Sequence, residues 1–451
     1  MAFKRYISEY LNEWGNSLNR KPLIIRGARQ VGKTTLIKQF AKNYRYRVLL
    51  NLEKRSDRHY FEQFDNVKTI VESLFLSNNI SSSAINQTLL FLDEIQESPK
   101  AIQLLRYFYE ELPELHVIAA GSLLEFVMRK VQSFPVGRVE YLYLHPLNFP
   151  EYLDAIGHRA AIDQLHQVPV KPFAHKTLID LFNRYAIIGG MPEIVKVNIQ
   201  NKNIADLPKV YESIWGTYKD DVEKYASNDT ERKVIKHIIK SAHLYIDQRI
   251  KFQNFGNSNY RSREVGEAMQ NLEDAKIIRL IYPTTDVEIP VKSSLRKSPH
   301  LQFLDTGLVN HALGIQGQML GIQDLNTAFK GAIIPHVVTQ EIISLNTISD
   351  HKPNFWVREK KQSSSEVDLV YTYDDMVIPI EIKSGKTGTL KSLHQFVEKT
   401  NHPYAVRMYA GEFKVERTQT PGGVPYLLMN IPYYLGTKIH QYIDFFTKNY
   451  N

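Results

Sequence analysis

The chain contains no cysteine. That excludes disulfides, thiol nucleophiles, cysteine-based zinc sites and iron-sulfur clusters, and it fits a reducing compartment. Long hydrophobic runs are also missing. The longest apolar stretch, Leu115 to Met128, is interrupted by His116 and Glu125 and falls short of the roughly 18 to 20 residues that a bilayer-spanning helix needs. The opening MAFKRYISEYLNEW mixes charges every few residues, without the apolar core of a secretory signal. No membrane association and a cytoplasmic location are therefore expected. The 15 histidines show no H-E-x-x-H or comparable ligand spacing, so no zinc is assigned. Internal repeats, heptad arrays and low-complexity linkers are absent as well.

What remains is an ordinary globular composition on a long chain. The 451 residues suggest about three domains at roughly 150 residues each. Hydrophobic residues make up 43% and charged residues 23%, which leaves ample material for several cores. Lysine and arginine number 56 against 48 acids, a formal charge of +8. This mild excess favours polyanions such as nucleic acid, although many enzymes carry as much.

The first third alternates short apolar runs with helical segments: Pro22 to Arg26, a helix from Lys33, Val48 to Leu52, Leu89 to Asp93 and His116 to Ala120. Such runs predict a parallel sheet covered on both faces, an α/β domain. Ser98 before Pro99 is an N-cap signal, and Ile102, Leu105, Phe108 and Leu112 recur at helical spacing after it. From about Glu151 to Lys240 the pattern is helical, broken by Gly189-Gly190-Met191-Pro192, and predicts a helical lid. Val265, Met269 and Leu272, the strand-like Ile277 to Ile281 and the basic turn Lys292 to Lys297 suggest a winged helix, with a plain helix-strand connection as the alternative. From about Gly331 the pattern returns to mixed α/β.

Gly27-Ala28-Arg29-Gln30-Val31-Gly32-Lys33-Thr34 matches G-x-x-x-x-G-K-[ST] between an apolar strand and a helix. In such a loop the backbone amides turn inward and the helix dipole adds positive potential. Lys33 then reaches the β- and γ-phosphates of ATP, and Thr34 holds Mg2+. Thr35 completes the binding segment. Leu89 to Asp93 is an apolar strand that delivers Asp93 to orient magnesium and Glu94 to polarise the attacking water. Ser122, after the next strand, is positioned to hydrogen-bond the γ-phosphate. Hydrolysis also needs a cation at the developing charge, and Arg138 is the candidate, with Arg129 second.

At these residues the chain resembles the prokaryotic AAA-like P-loop ATPases that carry a C-terminal domain of unknown function. The resemblance rests on Arg26 to Leu36, Leu92-Asp-Glu-Ile-Gln96, Gly121-Ser122, Gly137-Arg138, Leu144 to Glu151, Gly189 to Glu193 and Leu304 to Leu308. It implies an AAA-like ATPase core over residues 1–155, a helical lid over 156–235, a winged-helix segment over 236–310 and a restriction-endonuclease-like domain over 311–451.

In that last region Asp368 precedes Glu381-Ile-Lys383. With the period of a strand, Glu381 and Lys383 share one face. Beside Asp368 they resemble the D…E-x-K core of restriction-type nucleases, in which the acids hold magnesium and the lysine stabilises charge. Glu341 is the candidate for the helix acid such cores add. Pro335 stands where the family commonly has a glutamate, and Pro379 lies inside the expected strand. Basic Lys292, Arg296, Lys297, Arg358, Lys360 and Lys361 are candidates to track a phosphate backbone. The expected function is a magnesium-dependent ATPase whose cycle controls a DNA-associated C-terminal region. The alternatives are an ATP-binding regulatory switch that acts on protein partners with little hydrolysis and no nuclease activity, and an ATP-gated nuclease; protein partners or a homo-oligomer are expected as partners beside ATP and DNA.

Overall fold

The computed structural model describes residues 2–122, 124–125, 135–201, 206–316, 331–358, 365–383 and 390–450, with the backbone alone described at 222–225. Arg129, Lys360 and Lys361 lie outside this set. The chain forms two compact units: Met1–His145 with Asp274–Ile277 and Asn346–Asp350, and Pro146–Glu273 with Ile278–Leu345 and His351–Asn451.

In the first unit the apolar runs become β1 (Leu23–Arg26), β2 (Tyr46–Asn51), β3 (Thr88–Asp93), β4 (His116–Ala120) and β5 (Glu140–Tyr143). They form a parallel sheet in the order β2-β3-β4-β1-β5. Every residue of β3 and β4 is buried, which is why these strands read as unbroken apolar runs. One face packs Val48, Leu90, Leu92 and Val117 against Phe61, Ile70, Leu74, Leu105 and Phe108 of the flanking helices. Helix α1 (Lys33–Phe40) follows β1, and α2 (Pro99–Glu111) joins β3 to β4. The Ser98 hydroxyl accepts from the Ala101 amide and Pro99 opens the first turn of α2, as the sequence predicts. Because β1 lies between β4 and β5 while its crossover leads to β2 at the far edge, the carboxyl ends of β1, β3 and β4 border one crevice.

The second unit begins with helices that include α3 (His175–Ile188), α4 (Asp229–Ser241) and α5 (Ser262–Asp274). Strands β6 (Ile278–Ile281) and β8 (His300–Phe303) pair antiparallel, and Ile246 and Arg249 bridge to Leu301 and His300. A seven-stranded mixed sheet follows, built from β7 (Pro283–Thr284), β9 (Asn354–Val357), β10 (Glu366–Tyr373), β11 (Met376–Ile382), β12 (Tyr404–Tyr409), β13 (Lys414–Gln419) and β14 (Pro425–Pro432). Helix α6 (Ile333–Ser344) is buried on all sides. Pro379 lies in β11 between β10 and β12, yet the ladder to β12 starts only at Ile380. Continuing that register sets Pro379 opposite Ala405 of β12, so the ladder begins one residue later because proline has no N–H to donate there.

Several segments behind the family resemblance serve this second unit. The Gly190 amide donates to the Asp305 carboxylate, which also accepts from the Leu308 amide. The Leu147 amide donates to the Gly190 carbonyl, and Asn310 donates to the carbonyls of Ala186 and Ile187. These side chains are buried, so each hydrogen bond satisfies a group that would otherwise be costly to desolvate.

Candidate functional site

The loop between β1 and α1 curls tightly. Gly27 has φ of 148°, and a Cβ on it would lie 2.3 Å from the Leu144 carbonyl oxygen, so only glycine fits. Gly32 caps α1 in the left-handed region, with φ of 98°. Lys33 is buried, and its Nζ donates to the carbonyls of Gly27 at 2.9 Å and Ala28 at 2.8 Å. Among the described residues no carboxylate lies within ion-pair distance of it. Burial pushes this ammonium down to about 8 against the opposing pull of Glu94 and Asp93. A desolvated cation hydrogen-bonded to carbonyls at a helix N-terminus fits an incoming phosphate.

The Thr34 hydroxyl donates to Asp93 Oδ2 at 2.8 Å, joining α1 to the end of β3 across 59 residues. Burial raises the Asp93 carboxyl above its ordinary range. This pairing of a hydroxyl with a carboxylate is an oxygen donor set suited to magnesium. Glu94 follows with φ of 51° and ψ of 48°, and its Oε2 accepts from Gln96 Nε2 at 2.6 Å. Ser122 is buried two residues beyond Ala120, whose register partner on β3 is Asp93. The structure thus brings Lys33, Thr34, Asp93, Glu94 and Ser122 to one end of the sheet.

Arg138 is placed elsewhere. It lies just before β5, and because all five strands are parallel this is the end of the sheet opposite the phosphate loop. Its Nε pairs with Glu110 Oε1 at 3.0 Å, and together Arg138 and Arg106 hold the Glu110 carboxyl below its usual range. Arg138 is not brought to the phosphate site of its own chain. Conversely, Arg5 had no signal that set it apart from its charged neighbours, yet it is buried. Its guanidinium donates to the carbonyls of Val31 at 3.1 Å and His145 at 2.6 Å, bracing the phosphate loop.

A parallel sheet whose first strand leads through such a loop to a helix, with an acid at the end of β3, defines a P-loop nucleotide-binding domain. Residues 19–153 match the AAA domain family AAA_14, in keeping with the phosphate-loop architecture of this unit. Residues 179–319 match a domain of unknown function, DUF8612, and residues 330–432 match a second, DUF4143. No curated protein is significantly similar to the chain in sequence. Among solved structures, a Walker-type ATPase of Pyrococcus abyssi is 15% identical with a TM-score of 0.44, over 69% of this chain and 96% of that one. A signal transduction ATPase with numerous domains and a tetratricopeptide repeat sensor, from Pyrococcus horikoshii, is 11% identical with a TM-score of 0.27, over 74% and 47%. The ADP complex of S. cerevisiae Hsp104 is 13% identical with a TM-score of 0.28, over 76% and 44%.

In the second unit the structure brings three of the four C-terminal candidates together. Asp368 Oδ2 accepts from the Ile382 amide at 2.6 Å, and Lys383 Nζ pairs with Glu381 Oε1 at 2.5 Å. Burial, then the Asp368 charge, pushes Glu381 up to about 8, and burial pushes Asp368 up to about 6. Burial works against the Lys383 charge, but Glu381 and Asp368 outweigh it and raise that ammonium. Nearby, Glu366 accepts from His300 and Arg249, both at 2.6 Å. A cavity of about 20 Å³, room for a water, is lined by Asp247, His300, Pro335, Thr339 and Asp368. Among the described residues no group of three histidines or acids is arranged to hold a metal.

Glu341 does not join this cluster. Pro335 and Thr339, one helical turn apart on α6, face the cavity, and Glu341 lies about 200° around the helix axis from Thr339. Its carboxylate accepts instead from the Phe149 amide at 3.0 Å and the Tyr185 hydroxyl at 2.6 Å. The position that faces the cavity is the one that carries proline.

Full burial pushes Glu341 up to about 8 from its ordinary 4.5. A raised folded-state value means the fold favours the protonated form. The stabilising contribution is therefore complete below the ordinary value and is lost as pH rises through about 8. Glu341→Gln does not titrate, so urea unfolding at several pH values is expected to show its stability gaining on the native chain across that window. A difference between the two chains that stays constant with pH would overturn this assignment.

Proposed function

We propose that the chain is a magnesium-dependent ATPase whose nucleotide cycle controls a DNA-associated C-terminal region. The observation that carries this is Lys33, a buried ammonium hydrogen-bonded to the loop carbonyls of Gly27 and Ala28, beside the Thr34–Asp93 pair. Gly27 to Thr35 cradle the phosphates, and Lys33 holds their charge. Thr34 and Asp93 would hold Mg2+, which when bound would neutralise charge on the phosphates. Glu94 accepts the proton of the attacking water, and Ser122 hydrogen-bonds the γ-phosphate. Because Arg138 sits at the far end of its own sheet, a role for it in hydrolysis requires delivery to a neighbouring copy, and hence a homo-oligomer.

Along the chain, the proposed organisation is the ATPase core over 1–155, the lid over 156–235, the winged helix over 236–310 and the restriction-endonuclease-like domain over 311–451. The winged-helix reading is supported by the order α4, the bridged segment at Ile246 and Arg249, α5, β6 and β8. A basic turn with exposed Lys292 and Arg296 lies between the last two strands. The central β10, β11 and β12, with Asp368 and Glu381 on adjacent strands, support the nuclease-like fold. Pro335 at the cavity favours a fold kept for binding over one that cuts DNA.

Multiple-turnover ATPase rates with duplex DNA, single-stranded DNA and RNA test this reading. Stimulation by duplex DNA that weakens with salt is expected, since a basic surface gains affinity by releasing counterions. Hydrolysis indifferent to every nucleic acid would favour the alternative, a switch that acts on protein partners.

A further inference from the structure

Glu94 sits at a sharp corner. The chain leaves β3 in the left-handed region at Glu94 and enters the short turn Ile95–Glu97, which swings the Gln96 side chain back beside the acid. Gln96 Nε2 donates to Glu94 Oε2 at 2.6 Å, a short hydrogen bond to a charged group. The opposite amide face would set one oxygen against another, so chemistry fixes which end meets the carboxylate. At that other end Gln96 Oε1 is buried and, among the described residues, has no hydrogen-bond partner. It rests against Gly121, where a Cβ would lie 2.2 Å away. Gly121 immediately precedes Ser122. One amide therefore spans the gap between the acid after β3 and the residues after β4.

We propose that Gln96 is the positioning residue for Glu94, holding one carboxylate oxygen so that the other is presented to water, and that Gly121 is bare to make room for this amide. The inference rests on the reading of Glu94 as the base. Gln96 touches neither nucleotide nor water in this scheme and acts only through Glu94.

The test is a double-mutant cycle in the full chain. Gln96→Ala removes the donor. Gly121→Ala keeps every other atom and forces the flexible end of Gln96 out of its present place, where its hydrogen bond to Glu94 is made. Each is expected to lower kcat about tenfold, the scale of a lost hydrogen bond to a charged group, with KM for ATP and calorimetric affinity for a non-hydrolysable ATP analogue unchanged. The double variant is expected to be no slower than the worse single variant, because without the amide the added methyl displaces nothing. Wild-type kcat in Gln96→Ala, or losses that multiply in the double variant, would overturn the proposal. Glu94→Gln in the same series separates the two readings. Normal turnover there removes the base itself, whereas a stalled Glu94→Gln beside an unaffected Gln96→Ala removes only the positioning role.

A second readout needs neither nucleotide nor turnover. In the nucleotide-free protein labelled with 15N, the Gln96 side-chain amide is identified by its loss in Gln96→Ala. It is expected to shift in both Glu94→Ala and Gly121→Ala. A resonance insensitive to Glu94→Ala would show that the hydrogen bond does not exist in solution.

Discussion

Lys33→Ala is expected to weaken ATP binding about 100-fold, the upper range for hydrogen bonds to a charged group. The same substitution is expected to leave the melting temperature of the nucleotide-free protein unchanged or higher. The two halves of this result share one cause. Lys33 is buried, its ammonium is drawn down to about 8 by desolvation, and two carbonyls are its hydrogen-bond partners. Without phosphate such a charge costs the fold more than it returns, since carbonyl dipoles replace only part of its lost hydration. With phosphate present the cost is offset by a full anion. Titration calorimetry with ATP and a thermal melt without it measure both halves. An unchanged affinity in Lys33→Ala would remove the phosphate from this loop.

Glu94→Gln is expected to bind ATP with native affinity and to hydrolyse it on the order of 10²- to 10⁴-fold more slowly, the range for loss of a general base. The amide keeps the size of the side chain but cannot accept a proton from water. It also keeps an oxygen to receive the Gln96 hydrogen bond now made by the acid, so the corner after β3 should hold its shape. A single-turnover assay with a bound-nucleotide measurement separates binding from chemistry. Normal turnover would exclude Glu94 as the base.

The parts of the fold legible beforehand are those with local causes. A strand buried on both faces is mostly apolar, so β1, β3 and β4 stand out as short apolar runs with polar residues only at their ends. Ser98-Pro99 marks the start of α2 because the cap is made within three residues. Strand β5 was not legible: it is four residues long and carries Glu140 and Tyr141 on its outer part, so it lacks an apolar run. Pro379 is unexpected in a central strand, and the register shows that it costs β11 one ladder position toward β12 while it still pairs with Val370 of β10. Arg5 was invisible because its partners, the carbonyls of Val31 and His145, are 26 and 140 residues away.

The sequence by itself determined a phosphate-gripping loop between a strand and a helix, because glycine freedom, helix polarity and one lysine act within eight neighbouring residues. Tertiary structure alone decided which distant groups join it. It seated Thr34 on Asp93, laid Gln96 between Glu94 and Gly121, and carried Arg138 to the far end of the sheet. On α6 it turned Pro335 toward the Asp368 cavity and Glu341 toward Phe149 and Tyr185. Residue type and spacing say what a side chain can do, but helix rotation and strand order set what it meets, and both arise from packing across the whole chain.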